Sequence, residues 1–176
     1  QERPDVSVAS INGTELAVLA GATDSILEIE AELSDRDIMV RRIQSSHAGH
    51  THYLEDVLEE FGEVVRRAAP QAPTKPFISN VTGTWITDEQ AQDPAYWCTH
   101  LRRTVRYKQG MITLAESGHG IFIEAGPGTT LAQFAAASIS GAVNAIPTLP
   151  HPKDPTPADL VFANVAGLLW GAGASV

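Results

Sequence analysis

The chain has 176 residues, 43% of them hydrophobic, with a formal net charge of −9. That size and apolar content suit one folded domain or one domain with a tail, and the acidic balance argues against a nucleic-acid partner, which selects a basic excess. The single cysteine, Cys98, excludes an internal disulfide, and no apolar run approaches the roughly 20 residues that span a bilayer, so the expectation is a cytoplasmic chain with no membrane partner.

Val6 to Asn12 alternates apolar and small polar residues, the period of a strand. Asn12-Gly13 signals a turn, and Leu16 to Ala20 makes a second strand that can close a hairpin. Thr23 or a neighbour is expected to cap a helix whose Ile26, Ile29 and Leu33 share a face. Ile38 to Ile43 is expected to return as a strand. Strand, strand, helix, strand is most of a ferredoxin-like unit that lacks one strand and one helix.

Leu54, Val57, Leu58, Phe61, Val64, Val65 and Ala68 recur at helical spacing. Acids lead the opposite face and Arg66 and Arg67 close it, which suits the helix dipole at both ends. Ala69-Pro70 stops this helix. Phe77 to Asn80 reads as a short strand, with Val81 to Thr87 turning back on it. Asp93-Pro94 opens a short helix containing Tyr96-Trp97, and Val105 to Ser117 is a further helical run. Ile121 to Glu124 is a continuous apolar strand suited to a parallel sheet. Ala125-Gly126-Pro127-Gly128-Thr129-Thr130 leads into a small-residue helix, Leu131 to Ser138, and Val143 to Pro147 is a last strand. Helices alternating with apolar strands indicate an α/β fold. From Leu149 the chain becomes proline-rich, as linkers are, and Asp159 to Trp170 reads as one more helix.

Chemistry concentrates in Ser46-His47-Ala48-Gly49-His50-Thr51, between an expected strand and an expected helix. Three readings stand for its histidines. His47, His50 and His52 could ligate zinc, although no Cys or acid completes a set. They could simply finish hydrogen bonds at a helix start. Or one could be a general base at a strand end. A base needs a nucleophile, and the chain has no G-x-S-x-G. Gly126-Pro127-Gly128 follows a strand as a phosphate loop does, but it lacks the Lys-Ser/Thr and G-x-G-x-x-G patterns and reads as a tight turn. The basic cluster Arg102, Arg103, Arg106 and Lys108 reads first as solvated surface, and otherwise as a docking patch for an acidic partner. The start at Gln1, without methionine, reads as an excised piece.

VSVASIN, LAVLAG, SHAGH, FISNVTG, DPAYW, HLRRTVRY and IFIEAGPG, in this order over residues 5 to 149, resemble the C-terminal half of an acyltransferase domain of a modular type I polyketide synthase (malonyl-CoA:ACP transacylase-like). The tail resembles the linker after such domains. The resemblance implies part of an α/β-hydrolase-like large subdomain (residues 47–149), an incomplete ferredoxin-like small subdomain (1–46) and a linker (150–176). It implies an enzyme that passes a malonyl-type acyl group from acyl-CoA, through a serine, to the phosphopantetheine thiol of an acyl carrier protein, with no bound cofactor or metal. His50 would be the general base. The G-H-S-x-G serine of the family is absent here, so the isolated chain is expected to be inactive. The backbone carbonyl that holds the base would come from Arg103, with Thr104 where proline is usual. His47, Ala48 and Gly49 would set acyl specificity: the malonyl version of the motif reads HAFH and the methylmalonyl version YASH. His47 points to malonyl, and Gly49 removes a ring from the pocket wall. Arg102, Arg106 and Lys108 are expected to face the carrier protein. An upstream ketosynthase and the N-terminal half of the domain would be the other partners. The alternative is a non-catalytic docking or scaffold fragment.

Overall fold

A computed structural model of the chain describes residues 3–43, 45–140 and 144–175. They form two compact units, Gln1–Gly110 and Met111–Val176.

In the first unit, β1 (Val6–Ile11) and β2 (Ala17–Gly21) pair antiparallel, with Val6 opposite Gly21 and a register shift between Val8 and Ser10. The expected turn is present: the Asn12 and Gly13 amides both donate to Leu16 O, at 2.9 and 3.1 Å. Helix α1 (Thr23–Ser34) follows, but its N-cap is Ala22 and no side chain caps it, so the cap expected from Thr23 or a neighbour is not made by a side chain. Asp5 anchors this end instead, accepting from the Ala22 amide through its carbonyl and from the Ser25 hydroxyl through its carboxylate. Arg3 reaches Glu28 and Glu32, one turn apart on the same helix.

The strand expected over Ile38–Ile43 is not formed. Asp37 takes a left-handed φ of +56°, and the Ile38 amide folds back to Leu33 O at 3.0 Å, a Schellman-type helix end. Beyond it the segment finds no ladder partner among the described residues. An apolar run makes a strand only where a neighbouring backbone accepts its hydrogen bonds. Met39 is 96% exposed.

The helix expected from Leu54 to Ala68 is two elements. Residues His52–Val57 form a 3₁₀ helix, and α2 (Leu58–Ala68) is α-helical. Thr51 caps the tighter turn, its hydroxyl accepting from Tyr53 N at 3.2 Å. In α2, Glu59 and Glu60 lie in the first turn and Arg66 and Arg67 in the last, as the sequence pattern predicts. Short α3 (Asp88–Gln92) has a capping box between Thr87 and Gln90. Helix α4 (Pro94–Arg102) starts with proline at its first turn and the Asp93 carboxylate accepting from Ala95 N at 2.9 Å. Helices α2 and α4 pack together through a buried Gly62, where a Cβ would stand 3.1 Å from Cys98 Sγ. The Cys98 thiol donates to Leu58 O, so this cysteine serves packing.

Phe77 to Ile86 turns back on itself through the Ile78–Trp85 bridge. Ser79, 1% exposed, organises the turn: its hydroxyl accepts from the amides of Val81 and Thr82 and from the Tyr96 hydroxyl. Helix α5 (Tyr107–Glu116) ends at Gly118, φ +88°.

In the second unit, β3 (Ile121–Pro127) and β4 (Asn144–Leu149) pair parallel, with α6 (Thr130–Ser138) between them in sequence. The parallel pairing matches the expectation from the apolar run. Val143, where the last strand was expected to begin, lies outside the described residues. Helix α7 (Ala158–Gly171) packs on β4 and buries Val165. Among the described residues no helix is long and apolar enough to cross a membrane.

Gly83 combines a φ of +73° with a Cβ position 2.5 Å from the Gln109 side chain. Gly83→Ala is expected to lower stability by at least about 1 kcal/mol from backbone strain alone, with the clash adding to it. Urea denaturation of the variant checks this.

Candidate active site around His50

His50 sits in a tight turn, not at a strand end, because the segment before it does not form the expected strand. Its φ is +58°, in the left-handed region that histidine tolerates better than most side chains but that still costs roughly 1 to 3 kcal/mol. The turn is held from both sides. Thr51, fully buried, donates its hydroxyl to Ala48 O at 2.7 Å. Ser45 donates to His47 O at 2.7 Å, and the Gly49 amide donates to the same carbonyl at 3.2 Å.

The ring of His50 is fixed from α4. Its Nδ1 lies 3.0 Å from the carbonyl oxygen of Arg103, 53 residues away. A carbonyl can only accept, so Nδ1 carries the hydrogen, and in the neutral ring the lone pair is on Nε2. The structure therefore brings together His50 and Arg103.

It places the other predicted residues less closely. The His47 ring is exposed and meets its neighbour Ser46, with Oγ 3.2 Å from Nδ1. His52 packs on Tyr53, ring centroids 4.2 Å apart. Among the described residues no three His, Cys, Asp or Glu side chains converge as a metal site would require. Apart from Gly49 itself and its two chain neighbours, no heavy atom of the described residues lies within 4 Å of where a Cβ on Gly49 would stand. Arg102 pairs with Glu55 at 3.0 Å, beside a shallow pocket of about 270 Å³ lined by Glu55, Leu58, Cys98, Thr99, Arg102 and Arg103. The Arg106 amide donates to Asn80 O at 2.8 Å, and Lys108 lies in the first turn of α5.

Two side chains missed in the sequence belong to this site. His100 meets His50 edge-on at 6.4 Å, and Trp97 meets His100 at 5.6 Å. Trp97, His100 and Arg103 are spaced i, i+3, i+6, a repeat that places the first two on one helix face and delivers the third at its end. Burial, and then the neighbouring His50, holds His100 below the ordinary histidine value of 6.5.

The glycine-rich loop after β3 has a different role. The Glu124 carboxylate accepts from the amides of Leu131 and Ala132, at 3.1 and 2.9 Å. The helix terminus that would hold a phosphate is thus occupied by the chain's own anion.

An α/β chain that fixes one histidine through a main-chain carbonyl has close counterparts among solved acyltransferases. The acyl transferase domain of SpnD, solved with 2-(pent-4-yn-1-yl)malonyl, superimposes with a TM-score of 0.94 at 36% identity, over 98% of this chain and 42% of that one. The acyltransferase domain from the second module of the salinomycin polyketide synthase gives 0.86 at 34% identity, over 98% and 40%. In sequence, a phenolphthiocerol/phthiocerol polyketide synthase polypeptide of Mycobacterium tuberculosis is 30% identical over 98% of this chain. The spectinabilin polyketide synthase system protein NorB of Streptomyces orinoci is 37% identical over 74%. This chain spans 12% and 6% of the lengths of those two proteins. The acyl transferase domain family matches residues 1–154, and the chain belongs to that family.

Because folding disfavours protonated His100, its effect on stability has a defined sign. An unfolded chain takes up this proton as pH falls below 6.5 while the folded chain resists it, so stability drops on acidification through that window. His100→Gln is expected to flatten this part of the stability–pH curve, as measured by urea denaturation across a pH series.

Proposed function

We propose that this chain supplies the general base and part of the acyl pocket of a polyketide synthase acyltransferase. The observation that carries the reading is the 3.0 Å contact from His50 Nδ1 to the Arg103 carbonyl, which leaves Nε2 as a proton acceptor of fixed direction. In the proposed reaction, Nε2 takes the proton of a serine hydroxyl as its oxygen attacks the thioester carbonyl of an acyl-CoA. The carbon–sulfur bond breaks, and the imidazolium returns the proton to the departing thiolate. In the second half, Nε2 takes the proton of the carrier protein's phosphopantetheine thiol. The sulfur attacks the acyl-serine carbonyl carbon, the ester carbon–oxygen bond breaks, and the imidazolium returns the proton to the departing serine oxygen. The serine is not in a G-x-S-x-G of these 176 residues, so the chain alone would not acylate itself.

His47, Ala48 and Gly49 would line the pocket. A malonyl group is the default substrate, and the open space at Gly49 favours tolerance of a substituent on its central carbon. The SpnD domain, solved with a substituted malonyl, supports this reading. An acyl carrier protein is the proposed acceptor partner, approached through Arg102, Arg106 and Lys108, with Glu55 already pairing Arg102. A neighbouring ketosynthase and the serine-bearing half of the domain complete the assembly. As a segment of such an enzyme, the chain would work in the cytoplasm and needs no cofactor beyond its acyl-CoA and carrier substrates.

In the complete acyltransferase domain, His50→Ala is expected to reduce acyl transfer by roughly 10²- to 10⁴-fold. Full transfer by that variant, followed by mass spectrometry of the carrier protein, would remove the role given to His50. Gly49→Phe is expected to retain malonyl loading and to lose loading of 2-alkyl malonyl groups, read from competition between the two acyl-CoA substrates. Unchanged loading of both would remove the role given to Gly49.

A further inference from the structure

We infer that Thr104 is a positioning residue: its hydroxyl, bonded to Val8 of β1, fixes the peptide whose carbonyl orients His50. The inference rests on the proposed role of His50 as the base.

The direction of the Arg103 carbonyl depends on two torsions, ψ of Arg103 and φ of Thr104, because the peptide between them is planar. On the helix side the constraint is the Arg103 amide, which donates to Thr99 O at 2.9 Å and closes α4. Arg103 then leaves the helix in extended geometry, φ −90° and ψ 157°. A proline at the next position would enforce such geometry through its ring. Thr104 has no ring.

Its hydroxyl donates to Val8 O at 2.7 Å. One residue on, the Val105 amide donates to Ala9 O, and the Val105 carbonyl accepts from Ile11 N, both at 2.9 Å. Thr104 and Val105 are thus laid parallel against β1, through an isolated bridge between Ser10 and Val105. The Val105 bonds are main-chain bonds that survive a change of side chain there. The Thr104 hydroxyl is a side-chain contact on the residue next to the orienting carbonyl, and it ties that carbonyl to β1 as the Arg103 amide ties it to α4.

Valine matches threonine in shape and in its preference for extended backbone, so Thr104→Val removes the hydroxyl bond and little else. In the complete acyltransferase domain, Thr104→Val is expected to lower kcat for acyl transfer about tenfold with KM for the acyl-CoA unchanged, because misorientation affects the proton transfer and not substrate binding. Thr104→Ser keeps the hydroxyl and is expected to restore kcat. An independent readout is the ¹⁵N shift of the His50 ring, assigned by its loss in His50→Ala. The wild type is expected to show the Nδ1–H tautomer alone, Thr104→Val a mixture, and Thr104→Ser the wild-type signal. A wild-type ring spectrum in Thr104→Val overturns the inference whatever the rates do, as does a loss that Thr104→Ser shares. A changed ring spectrum together with unimpaired transfer by His50→Ala would leave the positioning intact and remove the base reading instead.

Discussion

One hydrogen bond, from His50 Nδ1 to the Arg103 carbonyl, depends on most of the first unit being in place. The α2–α4 packing brings the turn after Ser46 beside the end of α4, and it needs the bare Gly62 against Cys98 to do so. Strand β1 takes up Thr104 and Val105, and the Phe77–Ile86 turn takes up the Arg106 amide. Each of these bonds contributes on the order of 1 kcal/mol net, so none alone is decisive. Together they converge on four consecutive residues, Arg103 to Arg106, and convert a loose helix exit into a fixed point. The left-handed backbone of His50 is braced in the same way, by the buried Thr51 and the capped 3₁₀ turn that follow it.

Much of this was legible in the sequence where a local pattern carries its own partner. The Asn12-Gly13 hairpin, the charge order of α2 and the Asp93-Pro94 start of α4 all find what they interact with within a few residues, and all formed as expected. Ile38–Ile43 failed because a strand's bonds lie on another segment, which composition cannot reveal. The 3₁₀ start of the helix beyond Thr51 escaped notice because the same apolar spacing fits both helix types for one turn. Around the candidate site, His50 and Arg103 are separated by 53 residues, and only family resemblance connected them in advance. His100 was readable in principle, from the Trp97, His100, Arg103 spacing, but a histidine three residues after a tryptophan carries no chemical signature by itself.

The second unit shows how a motif can look chemical and be architectural. Glycines after a strand and before a helix suggest a cradle for an anion, and the anion is supplied by Glu124 from within β3. Thr148 completes the arrangement from β4: its hydroxyl donates to Glu124 O at 2.8 Å and accepts from Gly126 N at 3.3 Å, spanning the irregular register between Glu124 and Pro127. The loop is therefore a joint between strand and helix whose polar groups are consumed internally.

The group that orients His50 belongs to the main chain, and this has a consequence for how the sequence can drift. Every amino acid at position 103 brings the same carbonyl, and every one but proline the amide that closes α4, so the residue that orients the histidine is among the freest to vary in identity. Selection on this geometry acts through neighbours that contribute side chains, Thr51 and Thr104 among them, and through small residues such as Gly62 that permit the helix crossing. Variation at position 103 would therefore be a poor guide to its importance, and substitutions one residue away would be the damaging ones.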